Sequence, residues 1–537
     1  MHQKIGTARS IARLFNDRRG FLSLVIFCIA GIILIYHIEH FHLVVDDAYI
    51  SLRYARNLLD GKGLVFNPGE RVEGYTNFLW VMLLAFFMKF KIDGVVAARM
   101  MGLIFSIGTL FMVVRFSHWV SGRAKFWDAV AAILLAFNGS FALWAGAGLE
   151  NSMFVFMVLL GQILYLKGYK NPKISRGIGW GLAFAVAYLL RPDGALFFLA
   201  ALLLRLIIHR YNAIRIRLRE ATAAGMAFGV PVVIHFLWRL SYYGEWFPNT
   251  FYAKTGINLA HLKWGLWYAN DFLKTYSVLI IIPVILLFLF KKNRDMEISL
   301  LIFGGLYLIY VIMIGGDRVF PYFRFFMVIL PNLYLLIGWG TELIWEICIK
   351  KNNGVWVGGA VISIILVTIL VISVRASVSG EYWERVKYNS TLHEDWALIG
   401  KWLKEQYPLD TWTAMWRVGM IPYYSGLPTI DMLGLTDRHI ARCISKGYEN
   451  LPGHEKHDFA YVLNRRPVII LYWDILFDEA PDTLGYHSVK HSMIGFQELA
   501  RPEVRKQFER EYSFRVAPVE GKYLGYFIRK DQTSLPK

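Results

Sequence analysis

Long apolar stretches separated by short polar links run through the first 375 residues. A helix needs about 20 apolar residues to cross about 30 Å of hydrocarbon. Runs of that order fall at 21–38, 96–120, 127–147, 152–167, 177–190, 194–209, 220–240, 275–290, 297–314, 325–347 and 354–374. The pattern predicts an α-helical polytopic membrane protein of about eleven transmembrane helices. Basic residues mark every second link. Lys4, Arg9, Arg13, Arg18 and Arg19 precede the first run, Arg123 and Lys125 follow the second, and Arg205, Arg210, Arg215, Arg217 and Arg219 follow the sixth. Cytoplasmic links carry such an excess, so the reading is a cytoplasmic N-terminus with the tail outside. The apolar run from Phe78 to Met88 would invert every later link if it crossed. It is therefore predicted to be a juxtamembrane or re-entrant helix within a long first outer loop, 39–95.

After the last run the pattern changes. Asp395 to Tyr407 has helical spacing, Pro467 to Trp473 is a short β-like run, and Tyr512 to Ile528 reads as strands around Gly521. The expected organisation is a transmembrane module, 1–375, and a C-terminal extracytoplasmic α/β domain, 376–537, large enough for its own core.

Composition sharpens the class. Hydrophobic residues make up 56% of the 537, with 45 glycines besides, and charged residues only 18%; soluble domains sit near 45–50% and 25%. A soluble enzyme, a disordered tail and a disulfide scaffold are excluded. The net charge is +18, but from Ala376 onward 21 basic residues balance 21 acidic ones, so the excess lies in the links. That is membrane topology and not a nucleic-acid surface. Cys28, Cys348 and Cys443 make no disulfide framework or CxxC metal site. The first apolar run continues to about Tyr36 with no small-residue cleavage site, and reads as a span rather than a cleaved signal.

The outer links collect a different chemistry: Asp46, Asp47, Glu150, Arg191, Asp193, Asn249, Lys254, Asp317 and Arg324. Polar groups beside a membrane cost several kcal/mol unless paired or functional. Asp46 and Asp47 are adjacent, so one can serve as a general base while the other holds a loop, a cation or a donor; either can equally cap the following helix. Arg191, Lys254 and Arg324, with Asn249 and the neighbouring Arg318, are candidates for a phosphate. Glu150, Asp193 and Asp317 are supporting polar groups. In RPDG, a mutual Arg191–Asp193 pair closing the turn is the competing reading. His454 and His457 in GHEKH lack zincin spacing.

The stretch DDAYIS…RYARNL…GKGLVFNPGERVEGYTNFLW resembles the terminal β-arabinofuranosyltransferases of the mycobacterial cell envelope and their bacterial homologues. GLE, RPDG, the PNT..AK loop, GGD and IDMLGLTDRHIAR…PGHEKHD are similar to that family in the same order, so the resemblance runs over nearly the whole chain. It implies the GT-C fold, a polyprenyl-phosphate-linked sugar donor with arabinofuranose the first choice, and a glycan acceptor on the outer face of a bacterial plasma membrane. The essential aspartate of the first outer loop falls on Asp46 or Asp47, and the tail motif, through Asp431, Asp437, Arg438 and His454, is set on the acceptor side. The chain is richer in Lys and Ile than a mycobacterial one, which leaves the acceptor's identity open. No cofactor is called for; a divalent cation at the Asp pair is left open.

The chemistry agrees with that implication. Sugar nucleotides are absent outside the membrane, so an outward-facing transferase needs a lipid-carried donor whose phosphate outer Arg and Lys neutralise. The rival is a transporter or flippase of lipid-linked glycans, which calls for repeat symmetry and ionisable groups near mid-membrane; the sequence shows neither. A non-catalytic envelope assembly protein would not need this set of loops.

Overall fold

The computed structural model describes residues 18–169, 172–207, 214–254, 259–276, 284–285, 288, 295–317, 322–349, 354–443, 456–471, 474–482 and 501–532. Among these, seven helices are long and apolar enough to cross a membrane. They include α1 (Arg18–Phe41), α4 (Gly94–Ser121), α7 (Asn151–Tyr169), α10 (Ile214–Tyr243) and α13 (Asp295–Met313), after α2 (Asp46–Leu59) and α3 (Phe78–Lys89). The protein is a multi-pass membrane protein. The run at 127–147, expected as one span, is broken into α5 (Phe126–Ala136) and α6 (Gly139–Gly146), bent by 64°. Asn138 causes the break. Its Oδ1 accepts the Phe141 N–H at 3.1 Å, capping the second piece, while its Nδ2 donates to Tyr334 Oη at 3.1 Å. Two further expected positions hold the shorter apolar helices α8 (Ile174–Leu190) and α9 (Gly194–Ile207). The run at 275–290 lies largely outside the described residues. Helix α3 has only 12 residues, about 18 Å of rise, too short to cross.

By contacts the chain divides into two compact units, each drawn from several stretches. The first takes Arg99–Ile234 and Gly265–Glu384 with the chain up to Leu43; the second takes Val44–Ala98, His235–Trp264 and Arg385–Lys537. This division follows packing, whereas the expected boundary at 375/376 separates a membrane module from an outside one.

The first unit is helical, and several of its charged groups are paired. Arg205, in the last turn of α9, is buried, pairs with Glu220 and donates to Gly168 O at 2.8 Å. Lys125 pairs with Glu342, and Asp128 accepts from Ser117 and from Trp339 Nε1 at 2.8 Å. A buried pair of this kind is costly to break, since the remaining partner is left uncompensated.

In the second unit a six-stranded sheet runs β2–β1–β3–β6–β4, with β5 on β6. Strand β1 (Thr413–Met415) pairs parallel with β2 (Thr429–Asp431) and with β3 (Ile469–Leu471). Strands β4 (Leu476–Phe477) and β5 (Tyr512–Val519) flank β6 (Lys522–Arg529) antiparallel, and the expected hairpin turns at Glu520–Gly521. Ala414, Ile430, Ile470, Phe459, Phe508 and Phe527 form the core of this layer.

The stretch Val44–Ala98 packs within this unit. Arg53 of α2, 4% exposed, donates to Phe66 O at 2.9 Å, to Leu427 O at 2.7 Å and to Pro422 O. Asn67–Pro68–Gly69–Glu70 is a turn closed by Glu70 N–H to Asn67 O at 3.1 Å, with Gly69 at φ +87°, where a glycine is required. Asn67 then binds both backbone groups of Thr429, at 3.0 and 2.9 Å, at the start of β2.

Candidate active site

Asp46 opens α2, and its carboxylate accepts two backbone N–H groups, from Met420 at 2.6 Å and Gly419 at 3.2 Å. The approach is close: a Cβ on Gly419 would sit 2.0 Å from Asp46 O, so only glycine fits. Asp46 is 6% exposed. Burial pushes its carboxyl up to about 7, against the pull of the Met420 N–H and of Arg417, with Asp47 and Asp474 adding to the push. Asp47, the next residue, is half-buried.

Three groups that the sequence reading did not single out surround this pair. Arg417 follows β1, and its Nε stands 3.5 Å from Asp474 Oδ2 with its guanidinium 4.9 Å from the Trp396 ring. Asp474 follows β3, is buried, and is likewise pushed up by burial. His393, also buried, packs on Trp396 at 4.9 Å and lies within electrostatic reach of Arg417 and Asp47. Arg417 and Asp474 therefore sit just past the carboxyl ends of parallel strands, where open α/β sheets place their ligands. The only signal was for Asp474, which follows the β-like run from Pro467 to Trp473. In a charge-neutral tail a single Arg in TAMWRVGM does not stand out.

The tail residues expected on the acceptor side fall into two kinds. Asp431, fully buried, is wrapped by its own loop. It accepts from Leu433 N–H at 2.9 Å, Thr436 N–H at 2.7 Å and Gly434 N–H at 3.1 Å, and burial outweighs these bonds to hold it near 6. Asp437 accepts from Ile440 N–H at 2.9 Å and Tyr461 Oη at 3.1 Å. Arg438 is exposed. His454 lies outside the described residues. Of the expected donor residues in this unit, Asn249 is 4% exposed and spends its amide on Gly434 O, Leu435 O and Asp437 O at 2.8–3.0 Å, while Lys254 ends helix α11 (Asn249–Lys254) in an exposed position.

The other expected residues meet in the first unit. Arg191 forms a double contact with Asp193, at 3.1 Å from both Nε and Nη2, and reaches Glu150 at 3.3 Å. Tyr307 donates to Asp193 at 2.7 Å. Arg324 pairs with Asp317 at 2.9 Å. Both guanidiniums face the Phe325 ring, at 5.3 and 5.2 Å, so the five charged residues form one cluster. Just before Arg324, Tyr322 and Phe323 hold φ of 60° and 46°, and Trp144 Nε1 pins the turn through Tyr322 O at 2.8 Å. Two consecutive left-handed non-glycine residues cost on the order of 1–3 kcal/mol each, and such strain gathers at functional sites. Arg318 lies outside the described residues.

Against solved structures, the crystal structure of ArnT from Cupriavidus metallidurans bound to undecaprenyl phosphate covers 95% of this chain and 98% of its own, with TM-score 0.57 at 11% identity. The fold is GT-C. The Archaeoglobus fulgidus oligosaccharyltransferase tethered with an acceptor peptide is also similar, with TM-score 0.50, 11% identity and coverage of 94% and 74%. In sequence, the GT-C chain is similar to the terminal beta-(1->2)-arabinofuranosyltransferase of Corynebacterium glutamicum, 28% identical over 342 residues, which are 54% of this chain and 47% of the relative. The protein of that name from Mycobacterium tuberculosis is 27% identical over 271 residues, 47% and 42% of the two chains. The chain thus spans less than half the length of the curated relatives it matches. A family described as "Domain of unknown function (DUF8728)" matches residues 382–523, the stretch that holds His393, Arg417 and Asp474. Among the described residues no three His, Cys, Asp or Glu side chains converge as metal ligands.

Proposed function

We propose that this protein is a membrane glycosyltransferase of the bacterial cell envelope. It moves a sugar, arabinofuranose in the first instance, from a polyprenyl-phosphate donor to a glycan acceptor on the outer side of the plasma membrane. The similarity to curated arabinofuranosyltransferases supports the reaction class, and one geometric observation supports the assignment of roles: Asp46 has both carboxylate oxygens on backbone N–H groups, whereas Asp47 is half-buried within electrostatic reach of His393.

On this reading Asp47 takes the proton of the acceptor hydroxyl as that oxygen bonds to the anomeric carbon. The anomeric carbon's bond to the phosphate oxygen breaks, and polyprenyl phosphate leaves with the electron pair. Cations match the growing charge on the phosphate, Arg417 being the one beside the Asp pair and Lys254 the other candidate of the same unit. Asp46 is a positioning residue that ties the start of α2 to the segment after Arg417. Asn249 holds the tail loop. The rival flippase reading is not favoured, because the curated relatives that the chain is similar to are glycosyltransferases.

The experiment is sugar transfer from decaprenyl-phosphate arabinose by the purified protein, wild type against Asp47→Asn. Transfer in the wild type with a loss of about a hundredfold or more in the variant is expected. A wild type without transfer, or a variant with near-normal turnover, would overturn the assignment.

A further inference from the structure

A cleft of about 790 Å³ lies wholly within the second unit, between Gly69–Val72 of the first outer loop and a tail wall that includes Asp437–Arg438–His439, Tyr461 and Arg465. Its volume is that of an ordinary ligand site. Four arginines line it, Arg71, Arg438, Arg442 and Arg465, and their partners are unevenly shared. Arg465 pairs with Glu70 at 2.9 Å. Arg438 and Arg442 both lean on the single carboxylate of Glu245, at 3.5 and 2.9 Å. Arg71 is exposed, lies over the Tyr242 ring at 4.8 Å, and pairs with no carboxylate among the described residues.

Part of the remaining wall is aromatic, beside Glu70 and Asp437. The His439 ring stacks on Tyr461 at 4.0 Å and 15°, and half of the His439 side chain is exposed. The turn at Asn67–Glu70 fixes where Arg71 stands, and Arg438 Nη2 donates to Arg71 O at 3.1 Å, so the two sides of the cleft are tied. A guanidinium with no carboxylate partner, two more sharing one acid, and a ring face beside them suit an anionic sugar. The carboxylate or phosphate meets the arginines bidentately and the pyranose or furanose face lies on the ring stack.

We infer that this cleft binds an acid-bearing segment of the acceptor glycan, with Arg71 and Arg438 as the anion contacts and the His439–Tyr461 stack as the platform. The inference rests on the transferase reading for the word acceptor, but the binding itself does not. A saccharide segment held away from the Asp pair would fix the acceptor's register and restrict the enzyme to acidic glycans.

The test uses the full-length protein in detergent, titrated calorimetrically with trigalacturonate, maltotriose and inorganic phosphate. Trigalacturonate is expected to bind, more weakly at higher salt, and Arg71→Ala and Arg438→Ala are each expected to weaken it at least tenfold. Arg505→Ala, an exposed cation that is not part of the cleft lining, is the control and keeps wild-type affinity. Equal binding of maltotriose, phosphate binding without the trisaccharide, or unchanged affinity in both cleft variants would overturn the inference. Asp47→Asn separates the two readings: it should bind trigalacturonate as the wild type does while failing to transfer sugar. Trisaccharide binding by a wild type that transfers nothing would sink the function and leave the cleft standing.

Discussion

Two neighbouring carboxylates can have unlike roles because one helical step, about 100°, sends them into different surroundings. Asp46 is buried against N–H donors and Asp47 is not, and the difference is measurable through pH. The folded protein holds a proton on Asp46 up to about pH 7, while the unfolded chain releases it near 3.8. Between those values the folded state binds more protons, so stability falls as pH rises, by up to about 1.4 kcal/mol per pH unit from this one group. Asp46→Asn removes that contribution but turns an amide N–H toward a backbone donor, which costs about 1–3 kcal/mol. Its melting temperature should therefore be lower than wild type at pH 4 and should fall less steeply from pH 4 to 7. Parallel melting curves for the two proteins across that range would refute the buried-acid account. Glu73, which burial holds near 8 against the pull of Arg239, keeps some slope in both proteins, so the comparison is of slopes and not of their presence.

At the scale of elements, the RPDG turn and the PYFRF segment show what an Arg is for when it cannot move. Arg191 closes its own turn on Asp193 and reaches the neighbouring helix start through Glu150, the arrangement that competed with phosphate binding in the sequence. Removing it leaves two acids with little access to water. Arg191→Ala is thus expected to lower stability by about 3–5 kcal/mol, the range for breaking a buried pair from one side, and an Asp193→Asn change in the same protein should restore part of that. A melting temperature within a degree or two of wild type would show that the pair is not structural. The spans were legible because twenty apolar residues have one solution in a bilayer, and the hairpin at Glu520–Gly521 because alternation and a turn residue announce it. The break at Asn138 was not, since the cap that makes it depends on Tyr334, almost two hundred residues away. Neither was the use of the long DDAYIS…NFLW motif: Arg53, Asn67 and Gly69, which the sequence did not single out, hold the loop to the tail, through partners such as Leu427 and Thr429 that no local pattern names. Arg417 and Asp474 were missed for the same reason, because only the parallel pairing of β1 and β3 sets the ends of those strands side by side.

For the whole molecule, the links alternate in basic charge and the proposed chemistry needs a lipid-borne donor, so the two ideas stand or fall on which side each loop faces. Arg123, between α4 and α5, is exposed and belongs on the cytoplasmic side by its charge; Lys62, in the loop that carries the Asp pair, is exposed and belongs outside. Arg505, on the exposed face of α19 (Pro502–Glu511), reports on the tail. In a protein with Cys28, Cys348 and Cys443 replaced by Ser or Ala, single cysteines at these three positions can be challenged with a membrane-impermeant maleimide on intact cells. Each replaced side chain is exposed, so labelling reads topology and not unfolding. Lys62→Cys and Arg505→Cys should label on whole cells, and Arg123→Cys only after the membrane is opened. Labelling of Lys62→Cys from the cytoplasmic side alone would put the Asp pair where sugar nucleotides are available. A lipid-carried donor would then no longer be required, and the case for an outward-facing polyprenyl-phosphate transferase would fail at its first step, whatever the Asp47 variant does.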